Sequence, residues 1–480
     1  MAKSIKINFA LNLANTIAGL LFPLVTFPYS SRIIMAEGIG QVNFFQSIIN
    51  YIILFTSIGI PMYATREIAR NRDDNEEMSK TAIEILILHA FLTLIGYLTV
   101  AILCVFVAEI AVDIPLFLLL SLSVFFTAIG CEWFYKGIED FLYITVRGLT
   151  IRIIFVVLLF LLVHTKEDLM GYAFVTVGGT VGNNVFNFIR LRKHINLRKL
   201  HDLHPFKHLK PSLHVFVLNV VISIYVNLNS VMLGFMQTVV SVGLYAAATR
   251  IITMLRGVVT SFTTALLPRM SNVYASKDFD KFRHLSQMSI RAIFLISLPL
   301  SVGTYFCAED MVLILAGSDF EDSIFCLKCM APTTFVIALS GVLGIQILYP
   351  QGQTNKVILC TAIGAVVNIV ANLLLIPTFA HIGVSISTLI AETAVTSSML
   401  FLGRKYFPFT WKDKNLLKYI FATIMMSIVL FEIQGFTENC IIELFVYAIV
   451  GTCSYGFILL IVKEQLIMDL VTNIRNKIHK

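Results

Sequence analysis

The sequence predicts an all-α integral membrane protein of about fourteen transmembrane helices, arranged as two pseudo-symmetric six-helix lobes plus two C-terminal helices. Three observations carry that reading. Of 480 residues, 57% are hydrophobic and only 14% are charged, against about 25% charged in an ordinary soluble domain. The apolar residues fall in about fourteen runs of roughly 20 residues, each long enough to cross a bilayer. Early runs also resemble late ones at a nearly constant spacing. With a mean hydropathy of +0.84 and short loops, the chain has no room for a sizeable water-soluble domain, which excludes functions that need one.

In chain order the runs lie at 8–31, 41–62, 82–107, 113–133, 149–164 and 169–189, then 212–235, 240–267, 289–308, 324–349, 357–377 and 382–402, and finally 416–434 and 440–462. The first has the charged start of a signal peptide, but it continues to about Tyr29 without a clear cleavage site and reads as a retained helix. After the second, Arg66 through Asp74 is mixed in sign and reads as an interfacial amphipathic helix; Pro268 through Asp278, after run eight, reads the same way. The basic, His-bearing stretch Arg190–Lys210 connects the two lobes. Residues 1–211 then form the N-lobe with its connector and 212–403 the C-lobe. Residues 404–480 supply two extra helices and a tail.

Four pairs of segments carry the repeat. Phe9, Leu11, Asn12 and Thr16 match Phe216, Leu218, Asn219 and Ser223, and Gly40 matches Gly243. Tyr135 matches Tyr349, and Gly171 with Arg192-Lys193 matches Gly383 with Arg404-Lys405. Their order is kept, at offsets of roughly 203 to 214 residues. An even number of spans per unit gives both lobes the same orientation, a parallel repeat about an axis along the membrane normal.

A net charge of +7 would suit a nucleic-acid binder, but the basic residues sit in alternate loops and the adjoining helix ends. Arg66, Arg70 and Arg72, then Lys136, Arg147 and Arg152, the connector, and Arg283, Lys412 and Lys414 share one side. The opposite loops keep Arg32, Lys166 and Lys328 and include the acidic stretch from Glu309 to Asp322. This is the positive-inside asymmetry. It places both termini in the cytoplasm and excludes a nucleic-acid partner as its explanation, with membrane lipids taking that place.

Charged groups at mid-bilayer cost roughly 2.5–3.5 kcal/mol on the lenient insertion scale, so each needs a reason. At about 100° per residue, Arg250, Arg256, Thr253, Thr260 and Thr264 make one polar face of run eight, with Leu255, Ile252 and Val259 opposite. That face suits an aqueous cavity whose guanidinium groups attract an anion such as phosphate; the structural alternative is snorkelling or a carboxylate partner. Asn219, Ser223 and Asn227 stripe run seven, as Asn12 and Thr16 stripe run one, suiting sugar hydroxyls or interhelical hydrogen bonds equally. Glu392 shares a face with Ser385, Thr388 and Thr396, which makes it a proton or cation site or the partner of an Arg. His89 is a lone titratable group in run three. The cysteines sit in apolar runs, and the single CxxC, Cys326 and Cys329, lacks a second ligand pair. The sequence thus offers no catalytic constellation, no metal site, no cofactor and no Walker loop, and transport would draw on an ion gradient, the membrane potential or substrate supply.

Several segments are familiar together. Arg32, Gly38-Ile39-Gly40, Phe44-Phe45-Gln46-Ser47-Ile48, Gly59-Ile60-Pro61 and Arg66-Glu67-Ile68-Ala69, then Glu132-Trp133-Phe134-Tyr135-Lys136-Gly137, Gln346 through Pro350 and Gly383 through Glu392, resemble the bacterial polysaccharide transporter family, the O-antigen and capsule repeat-unit flippases. The resemblance runs the length of the chain. It implies the fold of the multidrug/oligosaccharidyl-lipid/polysaccharide exporter superfamily and a bacterial inner-membrane protein. It also implies alternating-access export of an undecaprenyl-diphosphate-linked oligosaccharide, with a polysaccharide polymerase as partner. In the amino lobe, the position matching Arg250 falls near Gln46, and few mid-membrane charges are expected there. The competing readings are a multidrug/cation antiporter, which would have acidic lumen residues, a lipid II flippase, and a membrane-embedded polymerase or ligase, which would need a large outward loop.

Overall fold

Backbone N–H and C=O groups find no water in hydrocarbon, so an apolar chain of this composition satisfies them within helices. The computed structural model describes residues 5–195, 202–409 and 411–468, and among these there is helix and no strand. Contacts divide the chain into two compact units, Met1–Gly243 and Leu244–Lys480.

The first unit runs through α1 (Ile5–Ser57), α2 (Ile60–Asn71), α3 (Asn75–Phe106), α4 (Ala108–Ala111), α5 (Ile114–Ile129), α6 (Glu132–Gly137), α7 (Phe141–Leu162), α8 (Leu169–Leu191) and α9 (Leu209–Met236), ending in the first residues of α10 (Val239–Ala275). α1 holds the first two predicted runs and turns between them at Met35, whose φ is 61°. α2 overlaps the expected amphipathic segment but begins earlier, at Ile60 within the expected second run, and ends at Asn71; it buries Ile60, Tyr63, Ala64 and Ile68. α6 is the Glu-Trp-Phe-Tyr-Lys-Gly motif. Its three aromatic residues enter the core beside α2, and Gly137 is required because a Cβ there would stand 2.7 Å from Ile68 Cγ2. Helices begin where acidic caps meet the loops. Asp74 accepts from the Glu76 and Glu77 amides at 2.9 and 3.1 Å, and Asp113 from Leu116 N at 3.1 Å, satisfying donors that the helix itself leaves orphaned.

Two backbones touch in this unit. A Cβ on Gly40 would lie 1.8 Å from the Val239 carbonyl oxygen, and one on Gly243 would lie 2.0 Å from the Ala36 oxygen. The spacing that pairs Gly40 with Gly243 in the repeat also pairs Ala36 with Val239. The contact is therefore reciprocal: Gly40 meets the Val239 carbonyl and Gly243 the Ala36 carbonyl.

The second unit contains the rest of α10, α11 (Phe279–Phe306), α12 (Ala308–Leu315), α13 (Ser323–Met330), α14 (Thr333–Gly341), a π-helical stretch Val342–Leu348, α15 (Thr354–Gly403), α16 (Lys414–Glu432) and α17 (Cys440–Ile461). The segment Pro268 to Ala275, expected as a separate interfacial helix, continues α10 without a break. α15 joins two predicted runs across Ala380, whose φ is 46°. The predicted appendage is part of this core: Tyr419, Met426, Tyr447 and Leu459 of α16 and α17 pack with Ile290 and Ile293 of α11.

Among the described residues, ten helical stretches are long and apolar enough to cross a membrane. The stretch Phe22–Asn71 carries the second expected run and the end of the first, Thr354–Tyr406 carries two, and α8 and α9 lie outside the ten. The first contact unit reaches past the repeat boundary expected at 211/212 to include α9, because Phe44 of α1 packs onto Gly234, where a Cβ would stand 2.1 Å from its ring, and against Phe235.

Candidate functional site

α10 places its polar residues on the accessible side. Ile251, Ile252 and Val259 are buried in the second unit, whereas Thr253 and Thr260 are exposed and Arg250, Arg256 and Gly257 half-buried. The face deduced from spacing is therefore the more accessible side of the helix. Thr260 Oγ1 donates to its own helix, to the Arg256 and Gly257 carbonyls at 3.0 and 3.3 Å. Beside Arg250, Thr249 Oγ1 is buried with no partner among the described residues. Inside a bilayer, an arginine lines water or meets a polar partner far more cheaply than it faces lipid tails.

The first unit holds an arginine farther inside its helix than the apolar run suggests. Arg152 was grouped with the inward helix ends, but α7 starts at Phe141, which puts Arg152 near its middle. Its guanidinium comes within 3.5 Å of where a Gly19 Cβ would stand, so the glycine of α1 leaves room for it. Arg147, a little over one turn earlier, is buried and pairs with Glu132 at 3.3 Å. A mid-helix cation is thus present in the amino-terminal half after all.

An amide chain lies on the second half of α1. Gln46 Nε2 donates to Asn50 Oδ1 and Asn50 Nδ2 to Asn227 Oδ1 of α9, both at 3.1 Å. Asn227 is brought to this chain; the side chains of Asn12, Thr16, Asn219 and Ser223 lie outside the described residues. No short-range pattern could have found Gln46 and Asn50, because their partner is distant in sequence.

Glu392 and its stripe are interior. Glu392 is buried, Thr388 meets Tyr245 of α10 at 3.4 Å, and Thr396 donates to the Val336 carbonyl at 3.1 Å. His89 is buried on α3, and its Nδ1 has no hydrogen-bond partner among the described residues. Gln346, on the π-helical stretch, is fully buried and donates to the Thr263 carbonyl of α10 at 2.9 Å. Such π segments recur at functional sites, and this one fixes α10 just beyond its polar face.

At the connector, three donors converge on the fully buried Glu84 of α3. They are His204 N at 2.8 Å, Lys207 Nζ at 2.7 Å and His208 Nε2 at 3.0 Å. Tyr63 Oη meets His208 Nδ1 at 2.7 Å. Burial lowers the His208 pKa below the usual histidine value, with Glu84 opposing the shift. The connector is thereby fastened to α2 and α3.

These features define a multi-pass helical membrane protein that carries arginines and threonines on one accessible helix face. Residues 5–274, more than half the chain, match the family described as polysaccharide biosynthesis protein, and the chain belongs to that family. Residues 213–374 also match the MatE family. A protein of Escherichia coli (strain K12) whose name proposes O-antigen transport is 26% identical, over 80% of this chain and 93% of that one. A lipid II flippase, MurJ, of Burkholderia cenocepacia is 28% identical over 29% of this chain and 28% of its own. Among solved structures, an inward closed lipid II flippase MurJ superposes with a TM-score of 0.77 over 96% of this chain and 99% of that one, at 16% identity. An inward-facing multidrug resistance transporter of the MATE family gives 0.64 over 82% and 97%, also at 16%. At that identity the two structures speak to fold alone.

Proposed function

We propose that this protein is a flippase that moves an undecaprenyl-diphosphate-linked oligosaccharide, an O-antigen, capsule or exopolysaccharide repeat unit, from the cytoplasmic to the outer leaflet by alternating access. The observation that carries the proposal is the accessible face of α10, where Arg250 and Arg256 stand among threonines while the apolar face is buried. Guanidinium groups match a diphosphate bidentately. Neutral amides and hydroxyls, Asn227 with Gln46 and Asn50 together with the proposed Asn12, Thr16, Asn219 and Ser223, suit sugar hydroxyls. Arg152 joins the cationic set. Glu392 and His89 are the titratable groups proposed to couple transport to an ion gradient or the membrane potential. The protein is placed in the bacterial inner membrane with both termini in the cytoplasm, handing its cargo to a polysaccharide polymerase. It has no bond to break: its work is selection and passage.

The test is the leaflet distribution of lipid-linked oligosaccharide in depleted cells resupplied with variants. Arg250→Ala with Arg256→Ala, and Arg152→Ala alone, should leave membrane abundance unchanged and lower translocation by roughly tenfold or more, the scale of losing a charged hydrogen bond. Normal flipping by the double variant would overturn the α10 assignment. The short stretch of identity to a lipid II flippase favours a second reading, a peptidoglycan precursor as cargo, and the identity of the lipid that accumulates on depletion separates the two.

A further inference from the structure

A second cationic recess lies away from the polar face of α10. On the first four turns of α11, Asp280, Arg283, His284, Gln287 and Arg291 recur at helical spacing and form one stripe. It faces the segment from Pro408 to Lys414 across a cleft of 650 Å3, within the roughly 300–1,000 Å3 of small-molecule sites. Asp413 is spoken for: Arg291 Nε reaches it at 2.5 Å and Gln287 Nε2 at 2.7 Å. Arg291 also donates to Gln465 at 3.0 Å. This bracing holds the floor of the cleft. Arg283, anchored through Nε to the Pro408 carbonyl at 2.9 Å, remains at the rim with Lys412 and Lys414, all three exposed. The fixed charge is four cations against the two carboxylates Asp280 and Asp413, with His284 as the other titratable group.

The aromatic residues beside the cleft give its depth. Phe409 is buried and stacks on Phe407 at 5.4 Å, and Trp411 meets it edge-on at 5.0 Å while 46% exposed. A half-exposed tryptophan next to a span start, here α16 at Lys414, marks the headgroup layer of a bilayer. The surrounding loops are those that the charge asymmetry assigns to the cytoplasm.

We propose that this cleft is a binding site for the phosphate of an anionic phospholipid headgroup from the cytoplasmic leaflet, with Arg283, Lys412 and Lys414 as its cationic ligands and the Arg291–Asp413 pair as its frame. The same phosphate chemistry would admit a free anion, but the half-exposed Trp411 beside the start of α16 favours a ligand rooted in the membrane. The site does not depend on the cargo, so its test reads binding and not transport.

Native mass spectrometry of the full chain in detergent, titrated with phosphatidylglycerol, phosphatidylcholine and inorganic phosphate, decides it. Phosphatidylglycerol should be retained in preference to phosphatidylcholine. The combined Arg283→Gln, Lys412→Gln and Lys414→Gln variant should weaken that retention by about tenfold or more, since each basic group near a surface adds several-fold. If the triple variant fails to fold, Lys412→Glu, at an exposed position, should still weaken phosphatidylglycerol several-fold. Equal retention of the two lipids, an undiminished affinity in the variants, or inorganic phosphate binding as tightly as the lipid would each overturn the proposal.

Discussion

Asp310, on α12 outside the spans, is buried, and its carboxyl is pushed up to about 6 by desolvation, with Glu443 and Glu309 nearby adding to the effect. The folded state therefore binds a proton that the unfolded chain has already released. Stability from this group is complete below about pH 4 and is lost as pH rises through 6. Asp310→Asn should raise the melting temperature in detergent at pH 8, by the equivalent of about 1–2 kcal/mol, and change little at pH 4.5. His208 works in the opposite sense. With its pKa lowered by burial, its contribution is complete above about pH 6.5 and declines as pH falls through the lower folded value. Glu84→Gln removes the carboxylate that three donors share and should cost about 2–3 kcal/mol, visible as earlier proteolysis within the connector at pH 7. Some of this was legible from single residues. Arg250 and Arg256 were readable because the cost of a charge in a span singles them out. Arg152 was not: the apolar run hid where α7 begins, so a mid-helix cation read as one near an end.

The crossing of α1 with the start of α10 sets the demand on helix packing. Gly40→Ala or Gly243→Ala drives a methyl group into a backbone carbonyl, and since neither backbone can yield as a side chain would, each should cost about 3 kcal/mol or more. Gly303→Ala in α11 meets nothing within 4 Å and should be neutral or gain up to about 1 kcal/mol from helix propensity. Thermal stability of the three purified variants checks the contrast in sign. Repetition made both glycines visible in the sequence, yet nothing local says that two glycines so far apart meet. The Asn50–Asn227 bond escaped for the same reason, because periodicity assigns a residue to a face and not to a partner. The π-helical stretch at Val342–Leu348 escaped differently: its register depends on which hydrogen bond each carbonyl accepts, and apolar pattern carries no trace of that.

For the molecule as a whole, hydropathy carried most of the fold, since bilayer thickness acts on composition directly. Fusion reporters test the sidedness. Green fluorescent protein after Lys480 should fluoresce and alkaline phosphatase inserted at Gly317 should be active, and the reverse pattern would invert the topology. Tertiary grouping was less legible, because sequence similarity between segments carries no information on which helices pack together. The consequence concerns synthesis. α9 packs on α1 through Gly234 and Phe44, and Gly243 supplies the last piece of the crossing. The first unit therefore cannot close when the ribosome finishes α8. Its earlier helices enter the membrane with Phe44 and the Gly40 backbone uncovered, and they wait there until the next repeat begins to emerge. A nascent chain arrested before α9 is the species most exposed to membrane proteases, whatever the stability of the finished protein.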